Sequence, residues 1–591
     1  MEGMSSPWIE YAVVALSLII TLGVGLYFSR DGKTSLQEYM LGSRRMTALP
    51  ISLSIGATFL TGSSLVAASQ EVYLYGMEVG LAPLIYATYG VASAWIYLPV
   101  SYSIKSASSF QFFDRRFNSR IRKFASIIYA LETIHHTAMS IFIPAVSLSQ
   151  VTGIRTFPIA CVLALICLAY TASGGLKAVA KADSVQAVIF FTCAIVIIVV
   201  GICKAGGPRE IWNKVEEGSR LNLFNFDTST STRYTFWNMI IGSIVLSTNL
   251  HLSPAYHQRV ASMPTFKQAK QVVIWSSLFT GLFLSFTYLT GLVVYAYFAG
   301  CDPVLAKKNI RGYATILPYF VSQISQNVPG IEGIFLAGVI AAGLSTTTSC
   351  WNTVACTIYE DLVRPFLRSE PSKKTSFRIL IGIVIIAATI STSFILLIEA
   401  MSSILEATLS LKSLSTSIYF ILYHGGMFLP WVNTKGIIAG CLASGGMTYY
   451  IVIGNQNAKR NKLIKDLPKI LTTANCLING TTTMHSMNMT TTVGTEGSSL
   501  VTKVDPKVSS LLSLSMMLYM IPGAVLGLVV AYLVSLMTGL QDLNTVDREM
   551  IAPQMRWVLP KIKNDTRQSY LEGDEKEPTE DLPLKVSNEM T

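Results

Sequence analysis

The chain has 591 residues, of which 51% are hydrophobic and only 13% are charged. Because soluble globular domains carry about 25% charged residues, this composition excludes an ordinary soluble domain. The net charge of +11 does not indicate a nucleic-acid partner. The basic residues cluster at the ends of long apolar runs, where the positive-inside rule places them in membrane proteins.

Apolar runs of about 20 residues, the length of helix that crosses a hydrocarbon core roughly 30 Å thick, recur along the whole chain. We therefore predict an all-α polytopic protein embedded in the lipid bilayer, with about 13 transmembrane helices. The predicted spans cover residues 8–28, 47–68, 81–102, 124–148, 156–170, 183–203, 236–257, 272–298, 331–359, 379–398, 404–423, 436–452 and 511–536.

The distribution of Lys and Arg predicts the orientation of these spans. With the N-terminus outside and the C-terminus inside, basic clusters such as those at residues 115–123 and 364–374 fall in cytosolic loops. The basic stretch at residues 459–469 would lie outside. It belongs to the longest loop, where charge matters less to topology.

This orientation places the long polar loop at about residues 454–510 outside the membrane. The loop holds N-x-[ST] sequons at Asn479 and Asn488, which we predict to be glycosylated. Cys301 and Cys476 would also lie outside and could form a disulfide.

The sequence contains no phosphate-binding loop of the G-x-x-x-x-G-K-[ST] type and no H-E-x-x-H or G-x-S-x-G motif. It therefore offers no ATPase or hydrolase machinery. A protein with many spans and no such machinery is a channel, a receptor, an intramembrane enzyme or a gradient-driven transporter. Transporters place their binding sites where spans are broken near the membrane midplane.

Two predicted spans carry small and polar residues where an ordinary span would be rich in leucine. The second span contains GATFLTGSS at residues 56–64, and the seventh contains STNLHLSP at residues 247–254. They lie five spans apart, as the first helices of two five-helix repeats of inverted topology would. Small residues that only permit close helix packing are the alternative explanation.

The ninth span contains AGLSTTTS at residues 342–349, with five hydroxyl side chains in succession. Hydroxyls in a helix can simply bond back to the carbonyl four residues earlier. Adjacent hydroxyls beside a free carbonyl are also hard, neutral oxygen ligands. Such ligands suit a weakly held monovalent cation, whereas carboxylates favour divalent ions.

Several further motifs make the chain resemble the sodium:solute symporter family, in particular the branch of the iodide, multivitamin and monocarboxylate cotransporters. The resemblance covers nearly the whole chain. The matching segments are residues 39–44 (YMLGSR), 71–76 (EVYLYG), 173–179 (SGGLKAV), Asp183 with Gln186, Gln258 with Arg259, 360–362 (EDL) and 428–436 (FLPWVNTKG).

This resemblance implies a LeuT-type fold, in which one helix precedes two inverted five-helix repeats and two helices follow. The implied divisions are residues 1–46 (N-terminus, first helix and cytosolic loop), 47–205 (first repeat), 206–425 (second repeat) and 426–540 (last two helices and the external loop). The polar, acidic segment at residues 541–591 predicts a disordered cytosolic tail.

The resemblance also implies a sodium site. Its expected ligands are the backbone carbonyls of Ala57, Leu60 and Ala342 and the side-chain oxygens of Ser345 and Thr346. Asp183 would lie near the ion and tune the site, although an Asp at the start of a span is otherwise a common helix cap. Thr348 and Ser349 match positions along a second cation path in some family members.

The expected solute cavity departs from the family pattern at ionisable residues. Glu132 and His136, four residues apart on the fourth span, replace residues that are uncharged in this branch. Lys412 lies near the middle of the eleventh span. Ionisable groups at membrane depth are costly and functional by default, unless they face a water-filled vestibule. We expect the solute to contact Ser63, Ser64, Glu132, His136, Asn249, His251, Lys412 and Thr416.

These observations predict a sodium-coupled symporter of the plasma membrane that carries a small organic anion, such as a monocarboxylate or a vitamin, by alternating access. Symport of a sugar, inositol or an inorganic anion is the alternative within this class, and a channel or sensor on the same scaffold is the alternative outside it. An enzyme is disfavoured, because no nucleophile or metal set accompanies Glu132 and His136. We expect no cofactor besides transported Na+, and a monomer or loose homo-oligomer.

Overall fold

The computed structural model is almost entirely helical. It describes residues 7–30, 35–59, 61–306, 310, 312–326, 328–367, 371–400, 404–476 and 502–560. The first ten helices are α1 (Pro7–Ser29), α2 (Leu36–Leu41), α3 (Ala48–Phe59), α4 (Gly62–Tyr75), α5 (Leu81–Ile96), α6 (Leu98–Ser103), α7 (Gln111–Arg116), α8 (Ser119–Thr152), α9 (Thr156–Lys204) and α10 (Pro208–Glu217).

Nine more α-helices and a two-stranded sheet follow within the described part of the chain. The helices are α11 (Phe236–Leu252), α12 (Pro254–Ala261), α13 (Phe266–Phe298), α14 (Ile316–Ser325), α15 (Ile331–Ile358), α16 (Lys373–Ala400), α17 (Ile404–Phe428), α18 (Thr434–Arg460) and α19 (Met520–Thr538). Between α18 and α19, β1 (Ile464–Asp466) pairs antiparallel with β2 (Thr502–Val504), so that Ile464 lies opposite Val504.

Within these residues, eight helices are long and apolar enough to cross a membrane, and nine if the bent pair α3 and α4 counts as one. The structure thus confirms an all-α polytopic membrane fold, while the count of 13 spans stays a prediction. Part of the difference arises because α9 covers both the fifth and the sixth predicted spans. Its backbone breaks at Gly175, where φ is +55°, and a Cβ there would collide with the carbonyl oxygen of Tyr39.

Both spans that the sequence predicts to be broken are interrupted in the structure. α3 and α4 meet at an angle of 59°, and Thr61 caps α4 by accepting a hydrogen bond from the Ser64 amide. α11 and α12 are separated by Ser253, whose backbone is extended. Pro254 follows at the first position of α12, where its missing amide hydrogen costs nothing because that position has no intrahelical acceptor.

The helix ends define two faces of the bundle. We call the face at which α1 and α15 begin the N-terminal face. There the Glu10 carboxylate accepts hydrogen bonds from the backbone amides of Gly330 (2.7 Å) and Gly333, just before and within the first turn of α15. α4, α11 and the paired strands β1 and β2 lie at this face, whereas α7 and α12 lie at the opposite face. In each broken span, α4 or α11 is therefore the half on the N-terminal face.

Two groups of helices pack around the broken spans. α13 packs on α3, α4 and α5, and α11 also packs on α5. α15 packs on α8 and α9, and α16 packs on α8, α9 and α15. α15 is the most enclosed candidate span, with 94% of its most apolar window buried. A helix that is buried all round lies at the centre of the molecule, and α15 is the helix that carries the hydroxyl run.

Loop contacts confirm one possibility from the sequence and correct one prediction. Cys301 and Cys476 form a disulfide. The prediction of a disordered tail from residue 541 is wrong for residues 541–560, which fold against the opposite face. Met550, Ile551 and Ala552 are fully buried, and the Ala552 amide donates to the Met427 carbonyl at 3.0 Å. The local composition is polar, but three consecutive apolar residues fill a groove that distant helices create. Residues 561–591 lie outside the described residues.

The ordered C-terminal segment predicts a difference between two substitutions. Ile551→Ala removes a fully buried side chain and should cost about 2–5 kcal/mol of unfolding free energy. Trp557→Ala, six residues along in the same segment, removes a side chain that is 79% exposed and should change stability by no more than ~0.5 kcal/mol. Thermal unfolding of the purified variants in detergent compares them. Equal melting temperatures would show that residues 541–560 do not pack as described.

Candidate functional site

The break between α3 and α4 faces the hydroxyl run of α15. The Ser345 hydroxyl donates to the Ala57 carbonyl at 3.0 Å and to the Ala342 carbonyl at 3.1 Å. The Thr346 hydroxyl donates to the Thr58 carbonyl at 3.0 Å and to the Ala342 carbonyl at 3.1 Å. Because α3 ends at Phe59, the carbonyls of its last turn lack intrahelical partners. The hydroxyls of α15 therefore satisfy the broken end of α3.

This junction brings together four of the five predicted sodium ligands, namely Ala57, Ala342, Ser345 and Thr346. Leu60, the fifth, lies outside the described residues. The oxygens are uncharged and buried. A hydroxyl that ligates a cation through its lone pairs can turn its hydrogen away. The chemistry of this donor set therefore fits a monovalent cation.

A small cavity adjoins the junction. Its walls comprise Ala57, Gln186, Ala187, Phe190, Phe283, Ala342 and Ser345. Both polar atoms of the Gln186 amide are buried and lack a hydrogen-bond partner among the described residues, a rare state for a buried amide in a folded protein. The sequence motifs include Gln186 but assign no role to it. Gln186 lies three residues after Asp183, on the same helical face, and this spacing could have predicted that it lines the site.

Asp183 lies in a fully buried ion pair rather than in an interfacial cap. Its Oδ2 accepts hydrogen bonds from Ser54 Oγ at 2.7 Å, Ser349 Oγ at 2.8 Å and Arg259 Nη2 at 3.0 Å. The side chains of Asp183 and Arg259 are 0% and 1% exposed. These bonds to Oδ2 help to offset the cost of burying the pair, whereas Oδ1 is buried without a hydrogen-bond partner among the described residues. The role of Asp183 beside a sodium ion stays a prediction, and Arg259 as its partner was not predicted.

Thr58 connects the ion pair to the ion site. Its carbonyl accepts from Thr346, while its hydroxyl accepts from Arg259 Nη2 at 3.0 Å and lies 3.1 Å from Ser349 Oγ. Of the two residues predicted for a second cation path, Ser349 thus belongs to the Asp183 network. The Thr348 hydroxyl bonds back to the Leu344 carbonyl at 3.1 Å, as an ordinary helix hydroxyl does.

The ionisable residues predicted for the solute cavity meet between α8 and α17. Glu132 on α8 lies within electrostatic range of Lys412 on α17, and His136 also lies within electrostatic range of Lys412. Thr416 is half-buried on the same face of α17 as Lys412, one turn away. One turn beyond His136, the Ser140 hydroxyl donates to the Gly343 carbonyl at 2.9 Å, so this cluster lies next to the ion-site segment of α15.

The other predicted solute residues are placed differently. His251 is buried, with Nδ1 2.6 Å from the Ser247 carbonyl and Nε2 3.3 Å from Ser277 Oγ, so both ring nitrogens face protein groups. The Asn249 amide donates to the Val245 carbonyl at 3.0 Å, and the Ser64 hydroxyl pairs with Thr61 at 3.0 Å. The side chain of Ser63 and the sequons at Asn479 and Asn488 lie outside the described residues.

Comparison with known proteins gives a consistent result. The family model described as the sodium:solute symporter family matches residues 39–444. The human sodium-coupled monocarboxylate transporter 1 is 29% identical over 554 residues, which cover 92% of this chain and 90% of that protein. The human sodium/iodide cotransporter is 30% identical over 456 residues, which cover 75% of this chain and 70% of that protein.

A solved structure supports the fold. A Na+-coupled sialic acid symporter in a substrate-bound, outward-open state superimposes with a TM-score of 0.71 at 19% sequence identity, covering 90% of this chain and 98% of that chain. This similarity confirms the predicted LeuT-type architecture. At this level of identity it carries no information about the solute.

The junction predicts which hydroxyls of α15 matter for sodium. Replacing Ser345 and Thr346 together by Ala should weaken sodium binding at least roughly tenfold, because a buried charged-group contact contributes about 1.5–3 kcal/mol. Thr347→Val is the matched control, since the Thr347 hydroxyl is equally buried but bonds back to Gly343 in its own helix. Binding of ²²Na+ to purified protein measures both without knowledge of the solute. Equal losses in the two variants would place the ion elsewhere.

Proposed function

The chain belongs to the sodium:solute symporter family, and from this premise we propose that its solute is a small organic anion, such as a monocarboxylate or a vitamin. The protein is a multi-pass membrane transporter that couples movement of a small solute to that of Na+, and it is not an enzyme. We further propose that it acts at the plasma membrane.

The observation that carries the choice of solute is the cluster of ionisable side chains between α8 and α17. Lys412 is exposed and lies within electrostatic range of both Glu132 and His136. A solute carboxylate could displace Glu132 as the partner of Lys412, with His136 as a second donor. Charged groups at this depth are costly unless they serve transport. Two of the similar proteins are named for anionic solutes, monocarboxylate and iodide.

The ion site supports a sequence of events in which sodium binds first. We propose that Na+ is held by the carbonyls of Ala57, Leu60 and Ala342 and the hydroxyls of Ser345 and Thr346. Asp183, paired with Arg259, would tune the site. Such an ion bridges the broken second span to α15 and so favours the conformation in which these helices are close. Rocking of the helices around the broken spans against the remaining helices would then expose the solute to the other side.

We also propose that the N-terminal face is extracellular and the C-terminus cytosolic. The disulfide between Cys301 and Cys476 lies at the N-terminal face, and disulfides persist in oxidising compartments. The same orientation would place the sequons at Asn479 and Asn488 outside the cell. We propose a monomer, or a loose homo-oligomer, as the working form.

Uptake into oocytes tests the proposed solute class. The panel is labelled lactate, nicotinate, biotin, iodide, glucose and myo-inositol, each with and without external Na+. We expect saturable, sodium-dependent uptake of an organic anion, reduced at least roughly tenfold by Lys412→Gln because a charge-assisted contact is lost. Lys412→Arg, the matched control, keeps the positive charge and should retain part of the uptake.

The remaining outcomes separate the alternatives. Uptake of iodide alone would support an inorganic anion, the second candidate that the same cationic side chains could hold. Uptake of glucose or myo-inositol that is insensitive to Lys412→Gln would contradict the proposed class. A sodium current that persists without any solute would favour a channel on this scaffold.

A further inference from the structure

Arg233 connects the two broken spans directly at the N-terminal face. It lies two residues before Thr235, the N-cap of α11. Its Nε donates to Glu71 Oε2 at 3.0 Å and its Nη2 donates to Glu71 Oε1 at 2.7 Å. Glu71 belongs to α4. A two-pronged contact of this kind fixes both the distance and the orientation of the two groups.

The third donor of the same guanidinium reaches a different segment. Arg233 Nη1 donates to Asp466 Oδ2 at 2.8 Å. This carboxylate also accepts from Lys459 Nζ, in the last turn of α18, at 2.8 Å. Burial alone would raise the pKa of Asp466, but Lys459 and Arg233 lower it below its usual value. Asp466 therefore stays ionised and holds the guanidinium from the side opposite Glu71.

The cluster is withdrawn from water. The side chains of Arg233, Glu71 and Asp466 are 13%, 21% and 15% exposed. The guanidinium also lies 4.4 Å from the centre of the Tyr75 ring, and the Tyr234 hydroxyl donates to Glu71 Oε2 at 2.7 Å. Exposed ion pairs contribute little because solvent screens them, whereas this pair is enclosed and bonded at every prong of the fork.

Residues 464–476, which we call the strap and which include Asp466, also hold α4 directly. The Lys469 amide donates to the Leu74 carbonyl at 2.8 Å, one of the last carbonyls of α4, which lack intrahelical partners. Farther along the strap, the Thr472 carbonyl accepts from the Asp302 amide at 2.9 Å, and Cys476 forms the disulfide with Cys301. The strap is thereby anchored at the end of α13, and α4 is held from two sides.

α4 and α11 otherwise have different main neighbours. α4 packs chiefly on α13 and α15, whereas α11 packs chiefly on α5. The Arg233 fork, together with the Tyr234 hydrogen bond to the same carboxylate, therefore links the two half-spans directly at this face. α4 begins at Gly62, shortly after α3 ends at Phe59, and the last turn of α3 supplies carbonyls of the proposed ion site. Displacement of α4 is therefore linked to occupancy of that site.

We propose that Arg233 is a positioning residue that joins α4 to α11, so that the halves of both broken spans at the N-terminal face move as one body when sodium binds. This role rests on the proposed function, because it assumes that sodium binding at the break shifts α4. When sodium binding shifts α4, Arg233 moves α11 with it. The seventh span thus responds to sodium although it carries none of the proposed ligands.

Distances measured with spin labels test the proposal with sodium alone. Cys203, at the end of α9, is exposed and serves as the reference label in a Cys161→Ser background. Ala67→Cys reports on α4 and Trp237→Cys reports on α11, since both residues are exposed. The α4 pair is the distance from Cys203 to position 67, and the α11 pair is the distance from Cys203 to position 237. In the otherwise unchanged protein, both distances should shift with sodium, with the same half-saturating concentration.

In Arg233→Gln, the α4 pair should still respond to sodium, while the α11 pair should lose its response or need at least roughly fivefold more sodium, the lower range of ordinary allosteric coupling. Arg233→Lys, which keeps the charge but not the fork, should lie in between. A residue needed only for folding would affect both pairs alike.

Two results would overturn the proposal. One is that both pairs in Arg233→Gln respond at the unchanged sodium concentration. The other is that the protein with Arg233 binds ²²Na+ and yet neither distance shifts. Failure to bind ²²Na+ at all would instead overturn the proposed ion site, and with it the sodium-linked motion, so the two failures are distinguishable.

Discussion

The contact between α15 and the end of α3 is the constraint on which the rest of the structure depends. A helix that breaks inside a membrane leaves backbone carbonyls that no water satisfies, and each costs free energy. Here the hydroxyls of Ser345 and Thr346 satisfy the carbonyls of Ala57 and Thr58. The groups that make the break tolerable are thus the groups suited to ligate a cation. An ion held by the proposed ligands would therefore also bridge α3 and α15.

The buried pair of Asp183 and Arg259 forms a second layer behind this junction. It joins α9 to α12 and, through Ser54, Thr58 and Ser349, to α3 and α15. Because the two charges compensate each other, the pair adds no net charge beside the uncharged oxygens of the proposed ion site. Weak retention is a requirement for transport, since an ion that binds too tightly is not released.

The two faces of the bundle are fastened in different ways. At the N-terminal face, charged side chains and a disulfide-anchored strap hold the ends of α4, α11 and α13. At the opposite face, a C-terminal segment inserts Met550, Ile551 and Ala552 into a groove lined in part by the end of α17. The charged contacts at the N-terminal face join half-spans to each other, whereas the apolar contacts at the opposite face cover helix ends. Motion between the two helix groups has to preserve or break both sets of contacts.

The sequence by itself determined the membrane class, the two broken spans and the hydroxyl run, because apolar length, Ser-Pro and clustered small residues act through local backbone preferences and local solvation. It also predicted that Glu132 and His136 share one face of a helix, since helical spacing sets which residues lie together. That Lys412 of α17 lies near them was decided by the tertiary structure. Only the tertiary structure decided that Asp183 pairs with Arg259, 76 residues away, that Glu71 pairs with Arg233, 162 residues away, and that His251 faces Ser277. Such pairings depend on how each helix is rotated about its axis and which neighbour it meets. The same reason explains residues 541–560, whose polar composition conceals three apolar side chains that find their groove only when distant helices have assembled.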